Sequence, residues 1–157
     1  MIAAEILADL RSKGQTLAVA ESLTGGALAK SVTDIPGSSK VFLGGVITYS
    51  IESKVALLGL VPDEIAEHGV VSSHVAEAMA DSVRMKFSST WSIATTGVAG
   101  PGPHGGVAAG EAWIALSGPR SLTLHLSLGD LGRDEVRMSV VGSALELLSR
   151  ILSEGKS

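Results

Sequence analysis

Apolar and polar positions along the chain change period several times, and each change marks an element. Ile2, Ile6, Leu7 and Leu10 recur at helical spacing, while Glu5, Asp9 and Lys13 fall off that stripe. Residues 1–13 are therefore expected to form a helix that Gly14 stops. Thr16-Leu17-Ala18-Val19-Ala20 is a short unbroken run, the pattern of a buried strand. Gly25-Gly26 then gives way to a second helix over Ala27-Leu28-Ala29-Lys30-Ser31-Val32, which the Pro36-Gly37 turn closes.

The run from Val41 to Ser50 is β-rich, though Gly44-Gly45 weakens it. Ser53 to Leu58 carries a short helical pattern. Pro62 suits a first helical position, with Asp63, Glu64 and Glu67 behind it. Ser72 can cap a longer helix whose inner face is Val75, Met79, Ala80 and Val83. Trp91 to Thr95 reads as a strand and Gly97 to Gly106 as a Gly/Pro loop. Glu111 to Leu116 and Leu122 to Leu128 read as a strand pair about Gly118-Pro119. A closing helix runs from Arg133 to Ser153, with Val136, Val140, Ala144, Leu147, Leu148 and Ile151 inward. Helices alternating with strands and ending in a hairpin predict an α/β fold, a three-layer α/β/α sandwich with a mixed sheet. No internal repeat or linker divides residues 1–157, so one domain is expected, with Gly155-Lys156-Ser157 loose at its end.

Composition narrows the function. The formal net charge is −4, the wrong sign for tracking a nucleic-acid backbone. The aromatics Phe42, Tyr49, Phe87, Trp91 and Trp113 are too scattered for a base-stacking platform. No apolar stretch is long enough to span a bilayer, and the first residues lack a signal-peptide pattern. A cytoplasmic protein is expected, acting on a small molecule, with no direct nucleic-acid or membrane partner, and self-associating as a homo-oligomer. The absence of cysteine removes disulfides, thiolate nucleophiles and thiolate zinc sites. His68, His74, His104 and His125 form no recognised metal-ligand spacing, and capping, loop or surface roles suit them better.

Three small-residue segments carry candidate chemistry. Glu21-Ser22-Leu23-Thr24-Gly25-Gly26 joins a strand to a helix, where exposed N–H groups favour an anion such as phosphate. It lacks the Lys of a Walker A loop, and an ordinary capped turn is the plain alternative. Gly97-Val98-Ala99-Gly100-Pro101-Gly102-Pro103-His104-Gly105-Gly106 contains G-x-G-x-x-G, but Pro101 and Pro103 break the dinucleotide-binding context. It remains either a connector or a ligand loop at a strand end. Pro36-Gly37-Ser38-Ser39, with Tyr49 and Lys54 beyond it, offers a hydroxyl nucleophile and an amine base, or simply a polar turn and a surface lysine. Asp130, Arg133, Asp134, Glu135 and Arg137 open the last helix. They form a solvated first turn, or else one in which Arg133 or Arg137 reaches a phosphate.

In order along the chain, five stretches resemble the CinA C-terminal domain family, whose active members are nicotinamide mononucleotide deamidases. They are Ala20-Glu21-Ser22-Leu23-Thr24-Gly25-Gly26, Asp34-Ile35-Pro36-Gly37-Ser38-Ser39, Gly45-Val46-Ile47-Thr48-Tyr49-Ser50 with Lys54, His68-Gly69-Val70-Val71-Ser72, and Thr96-Gly97-Val98-Ala99-Gly100-Pro101. The resemblance implies a compact α/β/α domain that hydrolyses the carboxamide of nicotinamide mononucleotide, with no metal or organic cofactor. It implies Ser39 as nucleophile, Lys54 as base and Tyr49 as support. It also implies a pocket drawing on Ser22, Thr24, Gly25, Gly26, Thr96, Gly97 and Arg133 or Arg137. Leu23 replaces a usual Cys, Ala108-Ala109 a usual Lys-Pro, and Gly129-Asp130-Leu131-Gly132-Arg133 lengthens a usual Gly-Asp-Arg. The alternatives are a non-catalytic nucleotide-binding or interaction module, and an amidase with another small substrate.

Overall fold

The computed structural model describes residues 2–155. In chain order the elements are α1 (Ile2–Ser12), β1 (Leu17–Glu21), α2 (Ala27–Thr33), a 3₁₀ turn (Ser38–Lys40), β2 (Phe42–Ile47), α3 (Ile51–Leu58) and α4 (Pro62–His68). These are followed by α5 (Ser73–Phe87), β3 (Trp91–Gly97), β4 (Glu111–Ser117), β5 (Leu122–Ser127) and α6 (Arg133–Glu154). Met1, expected in the first helix, and Lys156-Ser157, expected to be loose, lie outside the described residues.

The five strands form one sheet in the order β2-β1-β3-β4-β5. β1 runs parallel to both β2 and β3, and β3-β4-β5 continue as antiparallel neighbours. The sheet is therefore mixed, and its two faces bury different side chains. Leu17, Val19, Ile93 and Ile114 face one way and pack beneath α1, α2 and α6. Ala18, Ala20, Ala94 and Ala115 face the other way, a floor of methyl groups on which α5 lies with Val75, Met79 and Val83. Alternation along each strand produces both layers. Truncating the fully buried Met79 to Ala would cost about 2–5 kcal/mol, because the alanine floor has no longer side chains to fill the space.

Several local signals act as read. Ser72 Oγ accepts the Val75 N–H at 3.2 Å and starts α5, and Pro62 opens α4. Several boundaries move by one to three residues, those of β2 and β1 among them. β2 ends at Ile47 rather than Ser50, because Ser50 and Ser53 form a reciprocal capping box that starts α3 at Ile51. β1 extends to Glu21, beyond the apolar run. The parallel strands thus end together at Glu21, Ile47 and Gly97, with helices leaving β1 and β2 on opposite faces. That is the crevice at which open α/β sheets present their ligands.

Candidate functional site

The first turn after β1 carries Ser22, and the second turn of α3 carries Lys54. Lys54 is 1% exposed. Its Nζ donates to Ser22 Oγ at 2.9 Å and to the Thr48 carbonyl at 2.5 Å. Thr48 is held in turn, since its N–H donates to the Glu21 carbonyl at 2.8 Å. Burial disfavours the ammonium and pushes the Lys54 amine down to about 8. An amine lowered to about 8 beside the hydroxyl of Ser22, a residue 9% exposed, is a pairing able to activate a serine for attack on an acyl carbon.

A cavity of about 480 Å³ opens above this pair. Its walls come from the turn after β1 (Ser22, Leu23), the segment after β2 (Tyr49 to Glu52), Gly69-Val70-Val71, the end of β3 (Thr96, Gly97), the Gly/Pro loop and Arg133. The loop is tied down at several points. Gly100 O accepts Arg133 Nη1 at 2.5 Å, Asp130 accepts the Gly102 N–H at 3.1 Å, and His104 pairs with Val107 across Gly105-Gly106. At its far end Gly110 packs directly on the backbone of Gly129; a Cβ at Gly110 would stand 2.1 Å from the Gly129 carbonyl oxygen. Arg133 also donates to the Tyr49 hydroxyl at 3.0 Å, so the segment after β2, the loop and α6 meet at the cavity mouth.

Of the residues expected from sequence, Ser22, Tyr49, Lys54, Thr96, Gly97 and Arg133 are brought together around this cavity. Ser39 is not among them. It lies exposed in the 3₁₀ turn before β2, whereas Lys54 Nζ is engaged by Ser22 and the Thr48 carbonyl. The structure does not form the expected Ser39–Lys54 pair: α3 aims its lysine at the end of β1, not at the turn preceding β2.

The expected anion seat at Gly25-Gly26 is not open in this structure. Glu21 Oε1 accepts the N–H groups of Gly26 and Leu28 at 3.2 and 2.9 Å, and Oε2 accepts that of Ala29 at 3.0 Å. The start of α2 is already occupied by the protein's own carboxylate. Thr24 lies behind the cavity, with its hydroxyl 2.9 Å from that of Thr95. Arg137 turns to the Thr24 carbonyl at 3.2 Å, against Gly25, whose φ of +57° and lack of a Cβ make room for the guanidinium. Thr96 keeps its place in the wall, but its hydroxyl donates to the Val70 carbonyl at 2.8 Å. Among the described residues no group of three His, Asp or Glu side chains is gathered to hold a metal, and no helix is long and apolar enough to cross a membrane.

Sequence reasoning missed the roles of Glu21, Thr48 and Val70. One signal was present. Glu21 is a carboxylate ending a strand of buried apolar residues, and the helix that follows begins at Gly-Gly without a Ser, Thr, Asp or Asn cap.

A family model described as the CinA C-terminal domain matches residues 1–152. A CinA-like protein from Myxococcus xanthus is 44% identical over 154 residues, covering 96% of this chain and 36% of that protein. A putative competence-damage inducible protein from Streptococcus thermophilus is 40% identical over 152 residues, with 96% and 36% covered. The chain thus spans about a third of the length of the curated relatives it matches. Among solved structures, the competence/damage inducible protein CihA from Agrobacterium tumefaciens superimposes with a TM-score of 0.92 at 33% identity, covering 97% of this chain and 93% of that one. A CinA superfamily protein from Klebsiella pneumoniae has the same TM-score at 26% identity, with 98% and 96% covered.

Proposed function

The chain belongs to the CinA C-terminal domain family, and from that premise we propose that it is a nicotinamide-nucleotide amidohydrolase. It converts nicotinamide mononucleotide and water to nicotinic acid mononucleotide and ammonia. The observation that carries this reading is the 2.9 Å contact between Lys54 Nζ and Ser22 Oγ on the cavity floor. Ser22, rather than the Ser39 that the motifs suggested, is the nucleophile.

With its amine at about 8, roughly a tenth of Lys54 is neutral near pH 7. The neutral amine takes the Ser22 hydroxyl proton as Oγ bonds to the carboxamide carbon, and the carbonyl electron pair moves onto oxygen. Lys54 then returns that proton to the amide nitrogen. The C–N bond breaks, ammonia leaves, and the nicotinoyl group stays on Ser22 as an ester. Water attacks the ester with Lys54 again as base. The proton passes to Ser22 Oγ as the C–O bond breaks, releasing the acid. Because the Thr96 hydroxyl is committed to Val70, main-chain N–H groups of the lining turns are the donors for the transient oxyanion. Losing one such donor raises a barrier by about 3–4 kcal/mol.

The cavity volume suits a mononucleotide. Arg133 supplies the fork of donors at the mouth for the phosphate, with Tyr49 beside it. The pyridinium ring withdraws electrons from the carboxamide and favours addition. Incubation with nicotinamide mononucleotide, read by ammonia release and by the mass of the product, tests the reading. Equimolar ammonia and nicotinic acid mononucleotide are expected. Tight binding without ammonia would leave a non-catalytic nucleotide module instead.

A further inference from the structure

Glu21 occupies an unusual place. It is fully buried, it ends β1, an interior strand of the sheet, and it immediately precedes Ser22. Its carboxylate reaches across the turn to three N–H groups at the start of α2, those of Gly26, Leu28 and Ala29. The Ser22-to-Gly25 segment is therefore pinned at both ends, upstream by strand pairing and downstream by the carboxylate. The main chain of the same residue acts on the other partner. Its carbonyl accepts the Thr48 N–H at 2.8 Å, and the Thr48 carbonyl accepts Lys54 Nζ at 2.5 Å.

Resting on the Ser22–Lys54 reading above, we infer that Glu21 is a positioning residue for the reaction, setting Ser22 Oγ and Lys54 Nζ at hydrogen-bond distance from both sides. The α2 start supplies no side-chain cap of its own: Gly26 stands at the cap position with a φ of +101°. The cap has moved five residues upstream and become the clasp of the turn that presents the nucleophile. A glutamine at this site would keep one acceptor oxygen but turn an NH2 group against backbone N–H donors. An aspartate would keep the charge but fall one methylene, about 1.5 Å, short of α2. Both leave Ser22 on an unclasped turn. Glu21 acts through geometry rather than charge, since the lowering of the Lys54 amine comes from burial.

The test compares full-length wild type with Glu21→Gln and Glu21→Asp at a temperature where circular dichroism shows each folded. In both variants kcat is expected to fall on the order of 100-fold with KM within about twofold. The midpoint of the kcat/KM pH profile is expected to stay near 8. A crystal structure of either variant is expected to show Ser22 Oγ beyond hydrogen-bond reach of Lys54 Nζ. Unchanged kcat in a folded variant means Glu21 only stabilises α2, and overturns the inference. A midpoint displaced by a unit, which would mean Glu21 tunes Lys54 by charge, also overturns it. So does an intact Ser22–Lys54 contact in the crystal. That last readout needs no substrate, so it judges the positioning role even if wild type releases no ammonia, which would refute the amidohydrolase reading by itself.

Discussion

The turns that carry Ser22 and Ser39 both lead into helical segments, and they differ in what governs hydroxyl reactivity. Ser22 leaves the buried end of β1, is 9% exposed, and meets an amine that burial has brought to about 8. Ser39 lies in the 3₁₀ turn Ser38–Lys40, exposed to water and outside the cavity. Both follow the pattern of a small hydroxyl residue near glycine. The comparison teaches that such a pattern marks where the backbone turns sharply, while the nucleophile is chosen by what the fold packs against it. A strand end supplies the dry neighbour; the 3₁₀ turn does not.

The largest expected effect comes from removing the favoured hydroxyl. Ser22→Ala should lower kcat by about 1,000-fold or more while leaving the thermal midpoint near that of wild type, measured by ammonia release and calorimetry. Substantial turnover in this variant would dissolve the contrast between the turns.

Lys54→Met should have a comparable effect on kcat and sharpens the comparison by removing the amine that distinguishes Ser22. In wild type, kcat/KM should rise with pH through a midpoint near 8, as Lys54 becomes the neutral base. The same amine predicts a stability signature. Its folded value of about 8 lies below 10.5, so the unfolded chain binds more protons between those limits. Burying the lysine therefore costs on the order of 3 kcal/mol below pH 8, and that cost is relieved as pH rises toward 10.5. The stability of wild type relative to Lys54→Met should climb across that window in denaturant titrations. A difference independent of pH would contradict the buried amine.

Arg133→Ala should act more weakly, because the residue sits at the mouth rather than the floor. KM for the mononucleotide should increase about tenfold with kcat little changed. The increase should shrink for a nucleoside substrate without phosphate, as steady-state kinetics on the two substrates would show. The smallest effect is expected at the second turn: Ser39→Ala should hold kcat and KM within about twofold of wild type.

The sequence was informative where the determinants are local. The stripe Val75, Met79, Ala80 and Val83 and the Ser72 cap lie within one helix, and α5 forms as read. The Gly/Pro loop at a strand end was legible as a ligand loop, and Lys54, which entered through the family resemblance, does line the cavity there. The identity of the lysine's partner was not legible. Ser22 and Lys54 are 32 residues apart, and only the β2-β1-β3 order with α3 on one face brings them together. Ser39, nearer in sequence, is directed elsewhere by the 3₁₀ turn. The anion seat at Gly25-Gly26 misled for a similar reason. An open helix start and one filled by a carboxylate from the preceding strand have the same glycines, and the one cue that separates them is Glu21 itself, a carboxylate ending an apolar strand ahead of an uncapped helix.

The most direct trial of the account sets the two serines side by side: ammonia released from nicotinamide mononucleotide by purified wild type, Ser22→Ala and Ser39→Ala under identical conditions. The account predicts release by wild type and Ser39→Ala at similar rates and almost none by Ser22→Ala. Full activity in Ser22→Ala with its loss in Ser39→Ala would contradict it.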